Sequence, residues 1–369
     1  MLSIAGFTQD RGACTRLRIW QPLRKIGMLG LAKTHAIELS DGDPTEIIED
    51  SDVVVFGRAA GENVDRVMEN IWSKGKKIVF DQDDNFMDIQ PMSPHYKDLG
   101  IMPVNMESPT GKVMEMWVDG KNGFDLKRSR RIRSDMIEVV RKADAMTVTT
   151  EPLRKEYARF NDNVYVVPNC LDFSIWDRQP IRRIDNDEIR ILYTGASNHL
   201  EDFLYIRDQL VEIQKAYKKV KLVFVGMDWK HPGNNLDYSR VEVQPWTDFI
   251  AYPYLLKTLC CDIGLAPVTV NKFNDCRSSL KWMEYSALGL ATIASNWGSY
   301  KRDVRDGETG LLVDSQDDWE RAIVRLVENP EERKKLAENA YKEVKAKHNL
   351  DFTVDRWMEV FNKTKGDGK

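Results

Sequence analysis

The sequence predicts an α/β protein of two doubly wound domains, each built on a parallel sheet. Its 369 residues exceed what one ordinary hydrophobic core holds, so two domains of roughly 180 residues each are expected. Short β-type runs alternate with longer amphipathic segments along nearly the whole chain, which is typical of parallel strands joined by crossover helices. A polar, breaker-containing stretch near the middle separates two such series.

The first domain is predicted over residues 1–175. Its strand-like runs are Leu2–Phe7, Val53–Phe56, Ile78–Phe80, Met146–Val148 and Val164–Val167. Its helical patterns are Arg16–Leu29, Val64–Lys74 and Arg130–Lys142. Residues 91–127 do not follow this alternation of strands and helices, because they contain several prolines and glycines. An irregular insertion acting as a loop or lid is therefore expected there.

Residues 176–188 are the predicted linker, and the second domain is predicted over 189–350. Its strand-like runs are Ile189–Tyr193, Lys221–Val225, Val241–Val243, Ile263–Ala266, Ala291–Ala294 and Gly310–Val313. Helical patterns cover Glu331–Lys347 and Asp351–Lys363. Residues 351–369 form a C-terminal helix that would pack back on the first domain. Because doubly wound sheets bind ligands at the carboxyl ends of their strands, the site is expected in a cleft between the domains.

Composition narrows the class of protein. Apolar residues make up 42% and charged residues 30%, as in globular proteins, and no apolar run approaches the roughly 20 residues of a membrane span. The amino terminus lacks the pattern of a secretory signal, which predicts a cytoplasmic location.

Five cysteines without CxxC spacing favour reduced thiols over disulfides or zinc. With a net charge of −4 there is no general attraction to nucleic acid or anionic membranes, and the basic run Lys127–Arg133 is typical of a solvated helix face.

The clearest motif lies within residues 271–289 and predicts a helix. Ser278 or Ser279 is a suitable N-cap, apolar residues follow at helical spacing, and Gly289 is a suitable stop. The strand Leu290–Ser295 comes next.

This helix carries charges that suit a nucleotide. Arg277 and Lys281 place two cations at its amino end, where backbone N–H groups already favour anions, so a diphosphate would fit there. Glu284, one turn further, could accept both hydroxyls of the attached ribose. Taken alone, Lys281 and Glu284 could equally form an ordinary surface pair.

The neighbouring sequence favours the nucleotide. The helix, the strand after it and the segment Asn296–Val313 resemble the donor half of family 4 (group 1) retaining glycosyltransferases, which have the GT-B fold of two Rossmann-like domains facing across a cleft. The likeness covers essentially the second half of the chain, including Val167–Asp172 and Leu222–Gly226, and weakly the first half. It implies transfer of a sugar with retention from a nucleotide diphosphate-sugar, most typically a UDP- or GDP-sugar, without a required cofactor.

By position, the resemblance implies a role for four residues at the donor. Arg277 and Lys281 would hold the diphosphate and stabilise its charge as it leaves, Glu284 would hold the ribose, and Gly195 would allow close approach of the donor to the backbone.

The sequence departs from the family in two places. The first acid of the paired-glutamate motif, which contacts the transferred sugar, falls on Cys276, so Asn274 or Asp275 is the candidate substitute. The usual basic residue after Gly195 is also missing. His199 stands nearby, although such a histidine is more typical of a helix start than of a ligand.

The segment after the first strand is a candidate binding loop of the first domain. Gly12 would allow close approach of the donor, and Arg16 could bind an anionic acceptor or the donor phosphates. For Arg18 a solvent-facing position on the helix is expected.

Three acids follow the strand Ile78–Phe80, where charged residues are costly unless they face an open cleft. Asp81, Asp83 and Asp84 could bind a divalent cation, but GT-B enzymes generally need none, so no metal is expected. We assign acceptor binding to Asp81 and Asp83, and catalytic support to Asp83 and Asp84. Asp83 replaces a histidine of the resembled family and could orient an acceptor hydroxyl or stabilise oxocarbenium charge. His95 is a further acceptor-binding candidate.

Tryptophan could stack on the nucleotide base. Trp246, which follows a strand, is the preferred candidate over Trp229 and Trp282, although packing is the commoner use of this residue.

These features together predict a glycosyltransferase that uses a nucleotide diphosphate-sugar. The alternatives are a sugar-nucleotide epimerase, a hydrolase or a phosphorolytic enzyme on the same fold, or a non-catalytic nucleotide-sugar or glycan-binding protein, which the missing acid would suit. The acceptor stays open between a glycan, a lipid-linked sugar, a polymer, a protein, a small metabolite and a modified base in DNA.

Overall fold

A computed structural model describes residues 1–8, 12–38, 44–57, 64–107, 113–177, 187–226 and 232–366. They form two compact units, the first made of Met1–Pro168 with Thr353–Lys369 and the second of Asn169–Phe352. The chain thus passes from one unit to the other at Asn169, and Trp229 lies outside the described residues.

The strands alternate with helices through both units. The described strands are β1 (Ser3–Thr8), β2 (Lys33–Glu38), β3 (Val53–Gly57), β4 (Lys77–Gln82), β5 (Val104–Glu107), β6 (Val113–Trp117), β7 (Ala145–Val148), β8 (Val164–Val166), β9 (Ile189–Gly195), β10 (Val220–Gly226), β11 (Val241–Pro245), β12 (Ile263–Ala266), β13 (Ala291–Ser295) and β14 (Leu311–Val313). The described α-helices are α1 (Ala13–Thr15), α2 (Gln21–Met28), α3 (Thr45–Glu49), α4 (Val64–Ser73), α5 (Tyr96–Leu99), α6 (Leu126–Lys142), α7 (Glu151–Tyr157), α8 (Phe173–Trp176), α9 (Leu200–Ala216), α10 (Tyr252–Thr258), α11 (Lys272–Cys276), α12 (Leu280–Ala287), α13 (Gly298–Asp303), α14 (Gln316–Glu328), α15 (Pro330–Lys347) and α16 (Leu350–Lys365).

The first unit contains a parallel sheet in the order β2-β1-β3-β4-β7-β8. Its central strands are apolar on both faces because helices cover both sides, as expected for a parallel sheet. The strand β2 was not predicted. It lies at the sheet edge, where its half-buried, polar sequence needs no continuous apolar run.

The first helical segment lies close to the sheet. It consists of α1, a π-helical turn at Arg16–Trp20, and α2. Gly6 on β1 leaves room for it, because a Cβ there would lie 2.3 Å from Leu23 Cδ1 and 2.5 Å from Ile19 Cγ2. A Cβ on Gly57 would likewise lie 2.5 Å from Ile19 Cδ1. This close packing fixes the segment that carries Arg16.

The C-terminal helix α16 belongs to the core of the first unit. Its buried residues recur at helical spacing and join the same apolar cluster as Ile4, Val53 and Val79. The residues concerned are Val354, Trp357, Val360 and Phe361.

The described part of the predicted insertion at residues 91–127 contains regular elements and lies outside the parallel sheet. That part contains α5, the antiparallel strands β5 and β6, and the start of α6. The segment has no apolar periodicity and is held by aromatic packing. Tyr96 stacks on Trp117 and on Phe124 at centroid distances of 6.0 and 6.1 Å. Trp117 Nε1 also donates to the carbonyl oxygen of Pro91 at 2.7 Å.

The second unit contains a parallel sheet in the order β11-β10-β9-β12-β13-β14, and the strands predicted for this half are confirmed. The strand order reverses between β9 and β12, the place where doubly wound sheets bind ligands. Two glycines meet beside it. Gly226 has a φ of +111°, and a Cβ there would lie 2.5 Å from the carbonyl oxygen of Gly195.

No helix in the described ranges is both long and apolar enough to cross a membrane.

Candidate active site

The predicted helix is confirmed as α12, which begins after Ser279. The Ser279 hydroxyl does not cap its own helix but donates to Asp303 Oδ2 at 2.5 Å, anchoring the helix start to α13. The helix ends as predicted. Gly289 has a φ of +72°, and the amide of Leu290 donates to the carbonyl oxygen of Tyr285 at 2.9 Å.

Arg277 lies in the short extended link between α11 and α12. Asn271 caps α11, because its Oδ1 accepts from the amide of Asn274 at 2.8 Å. The Arg277 guanidinium lies over the ring of Phe273, with Cζ 5.5 Å from the ring centroid. The capped turn therefore sets the direction in which Arg277 leaves the backbone.

Arg277 and Lys281 converge on one imidazole. Arg277 Nη2 lies 3.0 Å from His199 Nε2, and Lys281 Nζ lies 3.2 Å from His199 Nδ1. Lys281 is buried, with Nζ 4.9 Å from the ring centroid of Tyr193. The structure thus brings two cations together at the amino end of α12, an arrangement that suits an anion.

A buried carboxylate completes this cluster. Asp202 Oδ2 lies 2.9 Å from His199 Nδ1, and Oδ1 accepts from the amide of Thr269 at 3.1 Å. Arg277 Nη1 lies 3.9 Å from Asp202 Oδ2. Burial raises the pKa of Asp202, but the hydrogen bond with His199 and the nearby cations outweigh it and lower the pKa below its usual value. One carboxylate therefore faces two cationic side chains.

His199 is neutral in this environment. Burial, together with Lys281 and Arg277, lowers the pKa of His199 to about 3. A neutral imidazole has one donor and one acceptor nitrogen. His199 Nδ1 lies 2.9 Å from Asp202 Oδ2, and also 3.2 Å from Lys281 Nζ and 3.4 Å from Arg277 Nη1. Nε2 faces the donor Arg277 Nη2 at 3.0 Å. A proton on Nδ1 satisfies the carboxylate and leaves Nε2 to accept from Arg277, so the network favours that tautomer.

Lys281 and Glu284 both change charge near neutral pH. Burial lowers the pKa of Lys281 to about 7 and raises the pKa of Glu284 to about 8. The hydroxyl of Tyr252 donates to Glu284 Oε2 at 3.5 Å. Perturbed groups of opposite type in one cluster are typical of functional sites.

An exposed aromatic ring is linked to Glu284 through Tyr252. Trp246 is 53% exposed and stacks on Tyr252, with a centroid distance of 5.7 Å and an interplanar angle of 28°. Trp282, by contrast, is fully buried and donates from Nε1 to the carbonyl oxygen of Thr309 at 2.9 Å, so it serves packing.

The side chains of Asn274 and Asp275 both have partners within the second unit. Asn274 Nδ2 donates to the carbonyl oxygen of Thr269 at 2.9 Å. Asp275 Oδ1 accepts from Arg302 Nη1 at 2.6 Å. These contacts tie the loop after β12 and the helix α13 to the turn that precedes Arg277.

Gly195 ends β9 directly beside the cluster. A Cβ at this position would lie 3.0 Å from the Cβ and 3.3 Å from the Cγ of His199. The glycine therefore lets the imidazole lie against the strand end.

In the first unit, the expectation of a solvent-facing Arg18 is wrong. Arg18 is buried, its Nη2 pairs with Asp81 Oδ1 at 2.7 Å, and its Nη1 donates to the carbonyl oxygen of Val167 at 2.5 Å. The guanidinium also lies over the ring of Trp357, 5.0 Å from the centroid. Burial is tolerated because the charge is paired and hydrogen-bonded.

The acids at and just beyond the end of β4 differ in their surroundings. Asp81 is fully buried, and besides Arg18 it accepts from Thr147 Oγ1 at 2.6 Å. Asp83 is also buried, whereas Asp84 is partly exposed. No group of three or more His, Cys, Asp or Glu side chains in the described part of the chain could hold a metal ion.

The remaining candidates lie in the first unit. His95 is exposed at the start of α5, with its ring centroid 6.0 Å from that of Phe86. Gly12 directly precedes α1, and Arg16 lies over the ring of Trp20, 5.0 Å from the centroid.

Sequence reasoning missed Asp202 and Tyr252 as members of the site, and it ranked His199 as a helix-start residue. His199 directly precedes α9, but its side chain faces the cations. The available signal was the i,i+3 spacing of His199 and Asp202, which places an acid on the buried face of a helix.

Part of the second half of the chain is similar to known glycosyltransferases. Residues 207–359 match a family described as glycosyl transferase-like. Over 102 residues the chain is also 34% identical to the D-inositol 3-phosphate glycosyltransferase of Thermomonospora curvata. That match covers 27% of this chain and 23% of the relative.

Solved structures similar to this chain extend over both units. Sucrose-phosphate synthase from Thermosynechococcus elongatus has a TM-score of 0.63 at 15% identity and covers 98% of this chain and 99% of its own. Anabaena HepE in complex with UDP and glucose has a TM-score of 0.63 at 11% identity and covers 97% and 99%. The predicted α/β fold of two parallel-sheet domains, shared with GT-B glycosyltransferases, is confirmed.

Proposed function

We propose that this protein is a glycosyltransferase that moves a sugar from a nucleotide diphosphate-sugar, with UDP or GDP as the nucleotide, to an acceptor hydroxyl. The observation that carries the proposal is the convergence of Arg277 and Lys281 at the amino end of α12. The glycosyl transferase-like segment 207–359 contains both residues and supports it.

The proposed chemistry is charge stabilisation of the leaving group. As the bond from the sugar's anomeric carbon to the β-phosphate oxygen breaks, its electron pair stays on that oxygen. Arg277, Lys281 and the first amides of α12 would stabilise the developing charge where little water competes. Asp202 offsets only part of the cationic charge in the cluster.

The nucleoside would lie along the residues that follow. We assign the ribose hydroxyls to Glu284 and the base to the exposed face of Trp246, because Tyr252 contacts both side chains. The transferred sugar would contact the turn of Asn274 and Asp275, whose side chains are held by Thr269 and Arg302.

The acceptor and the finer chemistry follow from the resemblance. We place the acceptor at Asp83 and Asp84 on the first unit, with Arg16 and His95 as further contacts and with retention of anomeric configuration. Asp81 would act indirectly, because Arg18 and Thr147 already occupy its carboxylate.

Nucleotide binding is expected to weaken as the pH rises above about 8, where Glu284 is already ionised and Lys281 has lost its proton. Because burial lowers the pKa of Lys281 to about 7, the amine is mostly neutral at about pH 9 and must take up a proton to bind a diphosphate. Calorimetric titration with UDP or GDP at about pH 9, in two buffers of different ionisation enthalpy, should report uptake of close to one proton. Lys281→Arg should abolish this uptake, because arginine stays charged. Equal apparent enthalpies for the wild type in both buffers would contradict the prediction.

Trp246→Ala is expected to weaken binding of the nucleoside diphosphate by about 10-fold, the usual worth of a stacked base. Trp246→Phe should retain most of the affinity, because it keeps an aromatic face. Binding of inorganic pyrophosphate, which has no base, should be the same in both variants. An equal loss for pyrophosphate would show that the residue acts through the fold.

A panel of nucleotides tests the proposed function. UDP, GDP, ADP and TDP are added to the protein during thermal unfolding, and one of them should raise the melting temperature by mass action. The matching sugar nucleotide is then incubated with and without candidate acceptors, and release of the diphosphate is measured. Transfer requires acceptor-dependent release, whereas an epimerase would change the donor alone. If no nucleoside diphosphate shifts the melting temperature, the proposal fails.

A further inference from the structure

The pair His199 and Asp202 has no assigned role, although it lies at the centre of the cationic cluster. His199 directly follows the turn after β9, and Asp202 lies one helical turn later on α9. Asp202 is almost completely buried. A buried carboxylate is costly unless it is paired, and Asp202 is paired with an imidazole and lies near two cations.

We propose that His199 and Asp202 form a positioning pair that holds the Arg277 guanidinium ready for the β-phosphate of the nucleotide. Asp202 would fix the tautomer of His199, and the acceptor nitrogen of His199 would then hold Arg277. The inference rests on the proposed function, because it assumes that the ligand is a nucleoside diphosphate.

The hydrogen bonds of Asp202 leave one tautomer of His199. Asp202 Oδ1 already accepts from the amide of Thr269, and Oδ2 faces His199 Nδ1. A carboxylate only accepts, so Nδ1 must carry the proton. His199 Nε2 is then the acceptor that Arg277 Nη2 meets at 3.0 Å.

The same arrangement leaves Lys281 for the ligand. Its Nζ lies 3.2 Å from His199 Nδ1, but that nitrogen already holds a proton and cannot accept. The Lys281 ammonium therefore cannot donate a hydrogen bond to His199. Its positive charge disfavours protonation of the imidazole, which stays neutral. Because of this neutrality, His199 does not act as an acid toward the leaving group.

Three substitutions separate these roles. In Asp202→Asn the amide oxygen can accept from Thr269, which leaves the NH2 group facing His199 Nδ1. Nδ1 must then accept, so the proton moves to Nε2 and places a donor against Arg277. His199→Ala removes the acceptor. His199→Gln restores an acceptor near the position of Nε2 and is the conservative variant.

Calorimetry tests the proposal by comparing the protein's affinity for UDP with that for UMP, and its affinity for GDP with that for GMP. Asp202→Asn and His199→Ala should weaken binding of the preferred diphosphate by about 10- to 100-fold, the usual worth of hydrogen bonds to charged groups. Binding of the monophosphate should change by less than about 3-fold, since it lacks the β-phosphate. His199→Gln should recover most of the loss. Nitrogen-15 NMR of the histidines, of which the chain has five, should show a proton on Nδ1 of His199 in the wild type and on Nε2 in Asp202→Asn.

The outcomes distinguish a failure of the proposed function from a failure of the positioning pair alone. Wild-type protein that binds neither diphosphate overturns the proposed function and this inference together. Tight wild-type binding with unchanged affinities in the variants, or with equal losses for diphosphate and monophosphate, overturns the positioning pair alone. A wild-type proton on Nε2 does the same. If Asp202→Asn does not fold, the comparison of His199→Ala with His199→Gln decides.

Discussion

Replacing Lys281 by methionine is expected to lower kcat/KM for the nucleotide-sugar by about 100- to 1,000-fold, as removal of a group that stabilises transition-state charge typically does. Methionine has nearly the length of lysine and a similar apolar stem, so the core around α12 should survive. The loss should fall mainly on kcat, because the charge on the leaving oxygen develops as the bond breaks. Steady-state rates of diphosphate release measure both parameters.

A matched lysine controls for the general effect of losing a positive charge. Lys335 is exposed on α15, and Lys335→Met should leave kcat/KM within about 2-fold of the wild type, as expected for a surface change. Equal losses in the two variants would indicate a global effect. Near wild-type turnover in Lys281→Met would remove this lysine from the catalytic machinery.

Replacing Glu284 by alanine is expected to weaken binding of the nucleoside diphosphate by about 10- to 100-fold, because two hydroxyl groups of the ribose would lose a charged acceptor. Burial raises the pKa of Glu284 to about 8, so the carboxyl binds the ribose best where it can ionise. The diagnostic ligand is the 2′-deoxy nucleotide. Wild-type protein should discriminate against it, and Glu284→Ala should bind both nucleotides equally.

Glu338 provides the matched acid for this comparison. It is exposed on α15, and Glu338→Ala should preserve both the affinity and the discrimination. Glu284→Gln should fall between the wild type and the alanine variant, since an amide still accepts one hydrogen bond. A wild-type protein that does not distinguish ribose from deoxyribose would contradict the role given to Glu284.

Local signals were enough to predict most of the second unit. The strands β12 and β13 and the helix α12 follow from apolar runs and from Gly289, which act over a few residues. Arg277 and Lys281 are four residues apart in the sequence, and local charge at the helix start together with the family resemblance indicated both.

Contacts between distant parts of the chain could not be predicted in this way. Arg18 is buried because Asp81 and the carbonyl oxygen of Val167 meet it, and no local pattern places these three together. The meeting of Asp202 with Arg277 depends in the same way on the neighbouring positions of β9 and β12 in the sheet.

The edge strand and the elements of the insertion could not be predicted for a different physical reason. The strand β2 lies at the sheet edge and needs no continuous apolar sequence. The insertion is held by the packing of Tyr96, Trp117 and Phe124, which come from separate short elements and leave no periodic signal.

The most direct test of the central claim is a crystal structure of the protein with the nucleoside diphosphate that raises its melting temperature. Phosphate oxygens are expected within hydrogen-bonding distance of Lys281 Nζ and the Arg277 guanidinium, with the β-phosphate at the amino end of α12. A nucleotide bound with its diphosphate away from both side chains would contradict it.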